Sequence, residues 1–267
     1  MKKLTVVSRS LLNSLLCSLL VSMALLAPAH ASSEGIPWDK FDTKRLTDLA
    51  ALQNGSKLFA NYCMNCHAAA YVRYNRLRDI GLTEEQIKDN LIFTGAKVGE
   101  TMKSALDPKD AKDWFGGVPP DLSLIARSRS DASKGSGADY IYTYLRSYYR
   151  DDTKATGWNN TAFPGVGMPH VLWQLQGQQR ALYADEKDPH DAKKIMHVFK
   201  GFEAITPGTL TQGEYNIAVT DLVAYLQWMS EPVQKDRMRL GVWVLLFLAV
   251  FTVIAWRLNV SFWKDIK

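Results

Sequence analysis

Three residues within five positions carry the most specific chemistry in the chain: Cys63, Cys66 and His67, in the run Cys63-Met64-Asn65-Cys66-His67. Two thiols separated by two residues and followed by an imidazole read as an attachment site for a c-type haem. A helical or turn-like backbone brings both sulfurs to one edge of a porphyrin, where each forms a thioether to a vinyl group. The adjacent His67 is then carried beneath the ring to ligate iron. The chain's third cysteine, Cys17, lies in an N-terminal stretch read below as removed, so no second pair completes a four-ligand zinc site. A thioredoxin-like dithiol would sit near a βαβ pattern, and none surrounds this pair.

The role of such an iron turns on its sixth ligand: Met or His saturates it for electron transfer, and an open site binds small molecules. Met168 is the favoured candidate, because Phe163-Pro164-Gly165-Val166-Gly167-Met168-Pro169 holds it in a constrained loop. His170 is the rival, and bis-His ligation lowers the potential relative to His/Met. Met102, Met196 and Met229 read as packing residues. Haem propionates are anionic and need partners when partly buried. Arg127 and Arg129, which follow Pro119-Pro120-Asp121-Leu122-Ser123, offer either a bidentate guanidinium or a solvated basic face.

The elements that must position these residues are mostly helical. Leu46, Leu49 and Leu52 predict a short amphipathic helix over 43–53, after an extended lead-in from Ser32 to Asp42. Asn54-Gly55 is expected to break it, and a second helix runs through Leu58, Phe59 and Tyr62 into the cysteine pair. Thr83-Glu84-Glu85-Gln86 fits a capping box opening a helix through Leu91. Asp107-Pro108 opens a short helix toward Trp114. Ile141, Tyr144, Leu145 and Tyr148 predict a helix over 138–149, and the Gly-, Asn- and Pro-rich residues 150–179 read as irregular. Residues 180–213 are the least legible, with short strands expected; 214–229 is helical again, and Glu231-Pro232 marks a break.

The termini set the compartment. Lys2, Lys3 and Arg9, the apolar stretch Leu11 to Leu26 and Ala27-Pro28-Ala29-His30-Ala31 follow the order of a secretory signal peptide, expected over residues 1–31. Its removal takes three basic residues and no acidic one, lowering the formal charge from +5 to about +2. That balance, without a basic-aromatic stripe, argues against nucleic acid as a partner. Near the other end, Leu240 to Trp256 contains no charged side chain and spans roughly 25 Å as helix. With Leu258 and Val260 to extend it, this is a membrane-span pattern, assigned to residues 236–260. The expected layout is an exported, mostly α haem domain with long loops over 32–235, one C-terminal transmembrane helix and a short cytoplasmic tail over 261–267.

The chain resembles cytochrome c1, the haem-bearing subunit of the quinol–cytochrome c reductase complex (respiratory complex III). The likeness rests on Cys63 to His67, on Val118-Pro119-Pro120-Asp121-Leu122-Ser123-Leu124-Ile125-Ala126-Arg127-Ser128-Arg129, on the Phe163 to Pro169 loop, and on Tyr225-Leu226-Gln227-Trp228-Met229-Ser230-Glu231-Pro232 just before the anchor. The resemblance implies one covalent haem c on Cys63 and Cys66, with His67 and Met168 as axial iron ligands and Arg127 near a propionate. It also implies a Rieske iron–sulfur protein as electron donor, cytochrome b as membrane partner, a cytochrome c as acceptor, and a dimeric complex. The haem domain would then face the periplasm on a single-pass anchor in a bacterial inner membrane, acting as a redox subunit and not as an enzyme on its own. The alternatives are the anchored cytochrome c subunit of a terminal oxidase and a haem-based gas-binding sensor with an open sixth site.

Overall fold

The structure, a computed structural model, describes residues 36–187 and 195–264. The expected signal peptide, the first residues of the lead-in, residues 188–194 and the last three residues of the tail lie outside the described residues. A 3-10 turn at Thr43–Thr47 leads into α1 (Leu49–Tyr62). Then follow β1 (Ala69–Arg73), a 3-10 stretch over Tyr74–Ile80, α2 (Glu84–Leu91), β2 (Thr101–Met102), α3 (Pro108–Phe115), α4 (Ile125–Ser128) and α5 (Gly137–Arg146). The second half holds β3 (Tyr148–Arg150), β4 (Trp158–Asn160), α6 (Trp173–Gln176), β5 (Gly177–Lys187), β6 (Ile195–Pro207), α7 (Gln212–Ser230) and α8 (Gln234–Phe262). Among the described residues each sheet has two antiparallel strands, and helices and loops supply most of the core, joined by Ala69, Val72 and Met102 from β1 and β2.

The helix starts are written locally. Thr83 and Gln86 close the capping box of α2, and Asp107 with Pro108 opens α3, as their sequence predicts. Thr211 and Glu214 form a further capping box on α7. Asn54-Gly55, in contrast, does not break α1, which runs continuously to Tyr62. The reason is tertiary. A Cβ on Gly55 would stand 2.1 Å from the Asp221 carbonyl oxygen and 2.6 Å from the Tyr225 Cβ. Gly55 is therefore a contact point where α7 crosses α1, and packing offsets the roughly 1 kcal/mol that glycine costs inside a helix. Asn54 completes the crossing by donating from Nδ2 to Asp221 Oδ2 at 2.9 Å. Phe59, Leu222, Tyr225 and Leu226 are buried around it.

Helix α5 also stops earlier than the aromatic spacing predicts. It ends at Arg146, and Tyr148 to Arg150 turn extended as β3, paired with Trp158 to Asn160. Ser147 makes the change: its hydroxyl donates to Thr143 O at 2.6 Å, while its carbonyl accepts from Thr161 N at 3.1 Å. Residues read as irregular thus include β4 and the short α6. Tyr215 Oη on α7 donates to Leu145 O at 2.8 Å, tying α7 to α5 inside the core.

Strands β5 and β6 form a long β-ribbon in place of short strands, paired from Gly177 with Pro207 to Lys187 with Ile195. Most of its side chains are half-buried or exposed, and cross-strand contacts such as the Arg180–Glu203 ion pair and the approach of His197 Nδ1 to Asp185 Oδ1 lie along it. Helix α8 spans 29 residues, carries no buried residue, and is the one helix among the described residues long and apolar enough to cross a membrane.

Candidate functional site

The cysteine pair sits where α1 ends. Cys63 N and Met64 N both donate to Phe59 O, at 3.0 and 3.1 Å, closing the last helical turn. Cys66 N and His67 N then both donate to Cys63 O, at 3.1 and 2.8 Å. This turn gathers both sulfurs and the imidazole onto the wall of one cavity. Met64 points elsewhere, packed in the core with the Tyr74 hydroxyl 3.8 Å from its sulfur. Burial, with neighbouring Cys66 second, pushes the Cys63 thiol up to about 12.

His67 is held by the segment Pro119 to Ser123, which follows Gly116-Gly117. Its Nδ1 lies 2.7 Å from Pro120 O, an acceptor only, so Nδ1 carries the proton and Nε2 keeps its lone pair. That is the arrangement in which an imidazole ligates a metal through Nε2. Burial lowers the His67 pKa against the opposing pull of Pro120 and Asp121, which favours the neutral, ligating ring. The Pro119 to Ser123 segment is zipped onto the chain after His67. Leu122 N donates to Ala68 O at 2.8 Å, Ala70 N to Asp121 Oδ2 at 2.8 Å, and Tyr71 N to Ser123 Oγ at 3.1 Å. Asp121 and Ser123 thus place the Pro120 carbonyl.

Met168 reaches the same cavity from a loop organised by two buried asparagines. Asn160 Oδ1 accepts from Ala162 N and Phe163 N, at 2.9 and 3.0 Å, while its Nδ2 donates to Tyr144 O at 2.8 Å. Asn159 Oδ1 accepts from Gly165 N at 2.9 Å. Gly165, at φ +77°, supplies a turn that a side chain would strain. Neither asparagine stood out in the sequence; the Gly-Asn-Pro richness of the region marks a loop without showing which amides clamp it.

The rival ligand, His170, does not line the cavity. It is buried with its ring stacked on Tyr148, centroids 4.7 Å apart and planes at 6°, and edge-on to Trp158 at 5.1 Å. Burial lowers its pKa to about 4, so the ring is neutral. Arg127, the expected propionate partner, does not line the cavity, whereas Arg129 does, with its guanidinium 5.9 Å from the Tyr140 ring centroid; both arginines are exposed. The two arginines straddle the end of a one-turn helix, so spacing alone does not tell which faces the site.

The cavity measures about 350 Å³ and is mainly apolar, with Tyr62, Ile125, Ile141, Leu222 and Leu226 on its walls. Two thiols, an imidazole with a free lone pair and a thioether are the donor set of a covalently bound haem, and an apolar wall suits its macrocycle. The residues present fit that group.

Comparison with known proteins agrees. The sequence matches the Cytochrome C1 family over residues 37–194 and 205–266. It is 42% identical over 253 residues to the cytochrome c1 of Allochromatium vinosum, covering 93% of this chain and 98% of that protein. It is also 42% identical over 244 residues to a Nitrosomonas europaea protein named ammonia monooxygenase gamma subunit, covering 91% and 95%. The cytochrome c1 of Rhodospirillum rubrum is 30% identical over 247 residues, covering 82% and 83%. Residues 195–204, most of β6, fall between the two matched stretches.

Proposed function

The chain belongs to the cytochrome c1 family, and on that footing we propose that it relays single electrons inside a quinol–cytochrome c reductase complex, from a Rieske iron–sulfur protein to a cytochrome c. The observation that carries this reading is the meeting of Cys63, Cys66, His67 and Met168 in one apolar cavity. Bound haem c supplies an iron that cycles between ferric and ferrous states.

The chain's own residues decide what that iron does. Cys63 and Cys66 anchor the macrocycle, and His67 offers Nε2 while Pro120 fixes the ring's tautomer. Met168 would supply a thioether ligand to that iron, in keeping with electron transfer over gas binding. The apolar wall excludes water, and a low-dielectric site favours the less charged ferrous state and so raises the potential. Arg129, on the cavity wall, is the propionate partner in place of Arg127. No residue is assigned as general acid or base, because no bond in a substrate is made or broken.

Helix α8 holds the haem domain at the exported face of a bacterial inner membrane and packs against cytochrome b, following a signal peptide removed after residue 31. The family resemblance extends this to a dimeric complex. Because a relative of equal identity carries the name of an ammonia monooxygenase subunit, purification through this chain is the discriminating test. A b-type cytochrome and a Rieske protein are the expected companions. Monooxygenase subunits or a haem–copper oxidase in their place would assign the electron to another chain of carriers.

A further inference from the structure

Two tyrosines stand next to the Met168 sulfur. Tyr144, on α5, places its hydroxyl 3.6 Å from Met168 Sδ, and Tyr148, at the start of β3, places its own 2.7 Å from the Tyr144 hydroxyl. Donor counting fixes the direction of both bonds. A thioether has no proton to give, so Tyr144 donates to sulfur. With its one proton committed, the Tyr144 oxygen accepts, and Tyr148 is the donor of the shorter bond. Tyr148 Oη also lies 3.3 Å from Met168 O, a longer contact that competes for the same proton. The Tyr148 ring is fully buried on His170, so its hydroxyl is held in place, and of the two tyrosines only Tyr144 lines the cavity.

We propose that Tyr144 and Tyr148 form a hydroxyl chain that positions the Met168 thioether and tunes the haem potential, Tyr144 acting on the sulfur and Tyr148 acting through Tyr144. The proposal rests on the reading of Met168 as the axial ligand. A thioether sulfur has two lone pairs. One accepts the Tyr144 proton, and the other is thereby left, and oriented, for iron. The hydrogen bond draws electron density from sulfur and makes it a poorer donor to ferric iron than to ferrous, which raises the potential. The apolar surroundings strengthen such a bond, and a donor to Tyr144 polarises it further. Phenylalanine at either position keeps the ring and its stacking, so the hydroxyl is tested by itself.

The test is a spectroelectrochemical titration of the full-length haem-bearing protein as wild type, Met168→Leu, Tyr144→Phe and Tyr148→Phe. Met168→Leu is expected to abolish the sulfur-to-ferric-iron charge-transfer band. A retained band would overturn the axial assignment, and this proposal with it. With that band lost in Met168→Leu, Tyr144→Phe is expected to keep a band at shifted energy and to titrate at a lower potential. Tyr148→Phe is expected to move the potential the same way by less. Wild-type potential and band position in Tyr144→Phe would overturn the hydroxyl chain while leaving Met168 as ligand. If Tyr144→Phe does not accumulate with haem, Tyr148→Phe decides: a lowered potential supports the chain and an unchanged one overturns it.

Discussion

At the scale of single residues, the site depends on which atoms are already engaged. His67 Nδ1 is engaged by Pro120 O at 2.7 Å, leaving Nε2 its lone pair, and Met168 Sδ accepts from the Tyr144 hydroxyl at 3.6 Å. Met168→Leu should leave haem attached, since neither thiol is touched, and lower the midpoint potential within the roughly 0.8 V span that axial ligands command. A redox titration with wild-type potential would show that Met168 is not the ligand. The structure brings the four candidates picked out in the sequence to one cavity, and they could be picked out because their chemistry is local: a five-residue spacing, and a methionine bracketed by glycine and proline. Arg129 and not Arg127 lines the cavity, and His170 lies outside it, for one shared reason. Two residues of spacing near a turn or short helix move a side chain from cavity wall to solvent or core, and only the packing of α4, β3 and β4 decides which.

At the scale of elements, the crossing of α1 and α7 and the start of α5 hold the site's walls. Gly55→Ala should destabilise the domain by about 1–3 kcal/mol, since the new Cβ meets backbone on α7. Thermal unfolding reads this as a drop of about 2–4 °C per kcal/mol for a domain of this size. Asp139, the third helical residue of α5, binds the lead-in through Phe41 N at 2.8 Å and Lys40 Nζ at 3.1 Å, and caps its own helix through Ser136 N at 3.0 Å. Burial alone would raise its pKa, but these bonds together hold it below the usual carboxylate range. Asp139 therefore adds stability at pH values above the pKa of an unfolded aspartate, and that share is lost as pH falls through its folded value. Asp139→Asn should cost about 1–3 kcal/mol at neutral pH and flatten the acid limb of a stability–pH curve; an acid limb as steep as wild type would contradict this role. The capping boxes of α2 and α7 show how much of helix placement is written within four residues. The unbroken α1, the early end of α5 and the β5–β6 ribbon were not legible, because each is decided by a distant partner: Asp221 and Tyr225 for Gly55, Trp158 to Asn160 for Tyr148 to Arg150, and the facing strand for a ribbon with no continuous buried stripe.

At the scale of the whole molecule, a cytochrome c1 family domain is followed by one apolar helix long enough to cross a membrane, and the proposed reading tethers that domain at a membrane surface. Ending the chain after Val233 removes α8 and should give a haem-bearing domain that partitions into the aqueous fraction after export, since the core lies upstream. A truncated domain that stayed in the membrane fraction would point to another anchor. Most of β6 lies between the two stretches matched by the family, whereas β5 lies within the first. The central claim, that this domain receives electrons drawn from quinol, is tested most directly by following the c-type haem spectrum of the complex purified through this chain after adding quinol. The expected result is reduction of the haem that depends on the Rieske protein. A haem that stays oxidised in a complex containing that protein and cytochrome b would contradict the account.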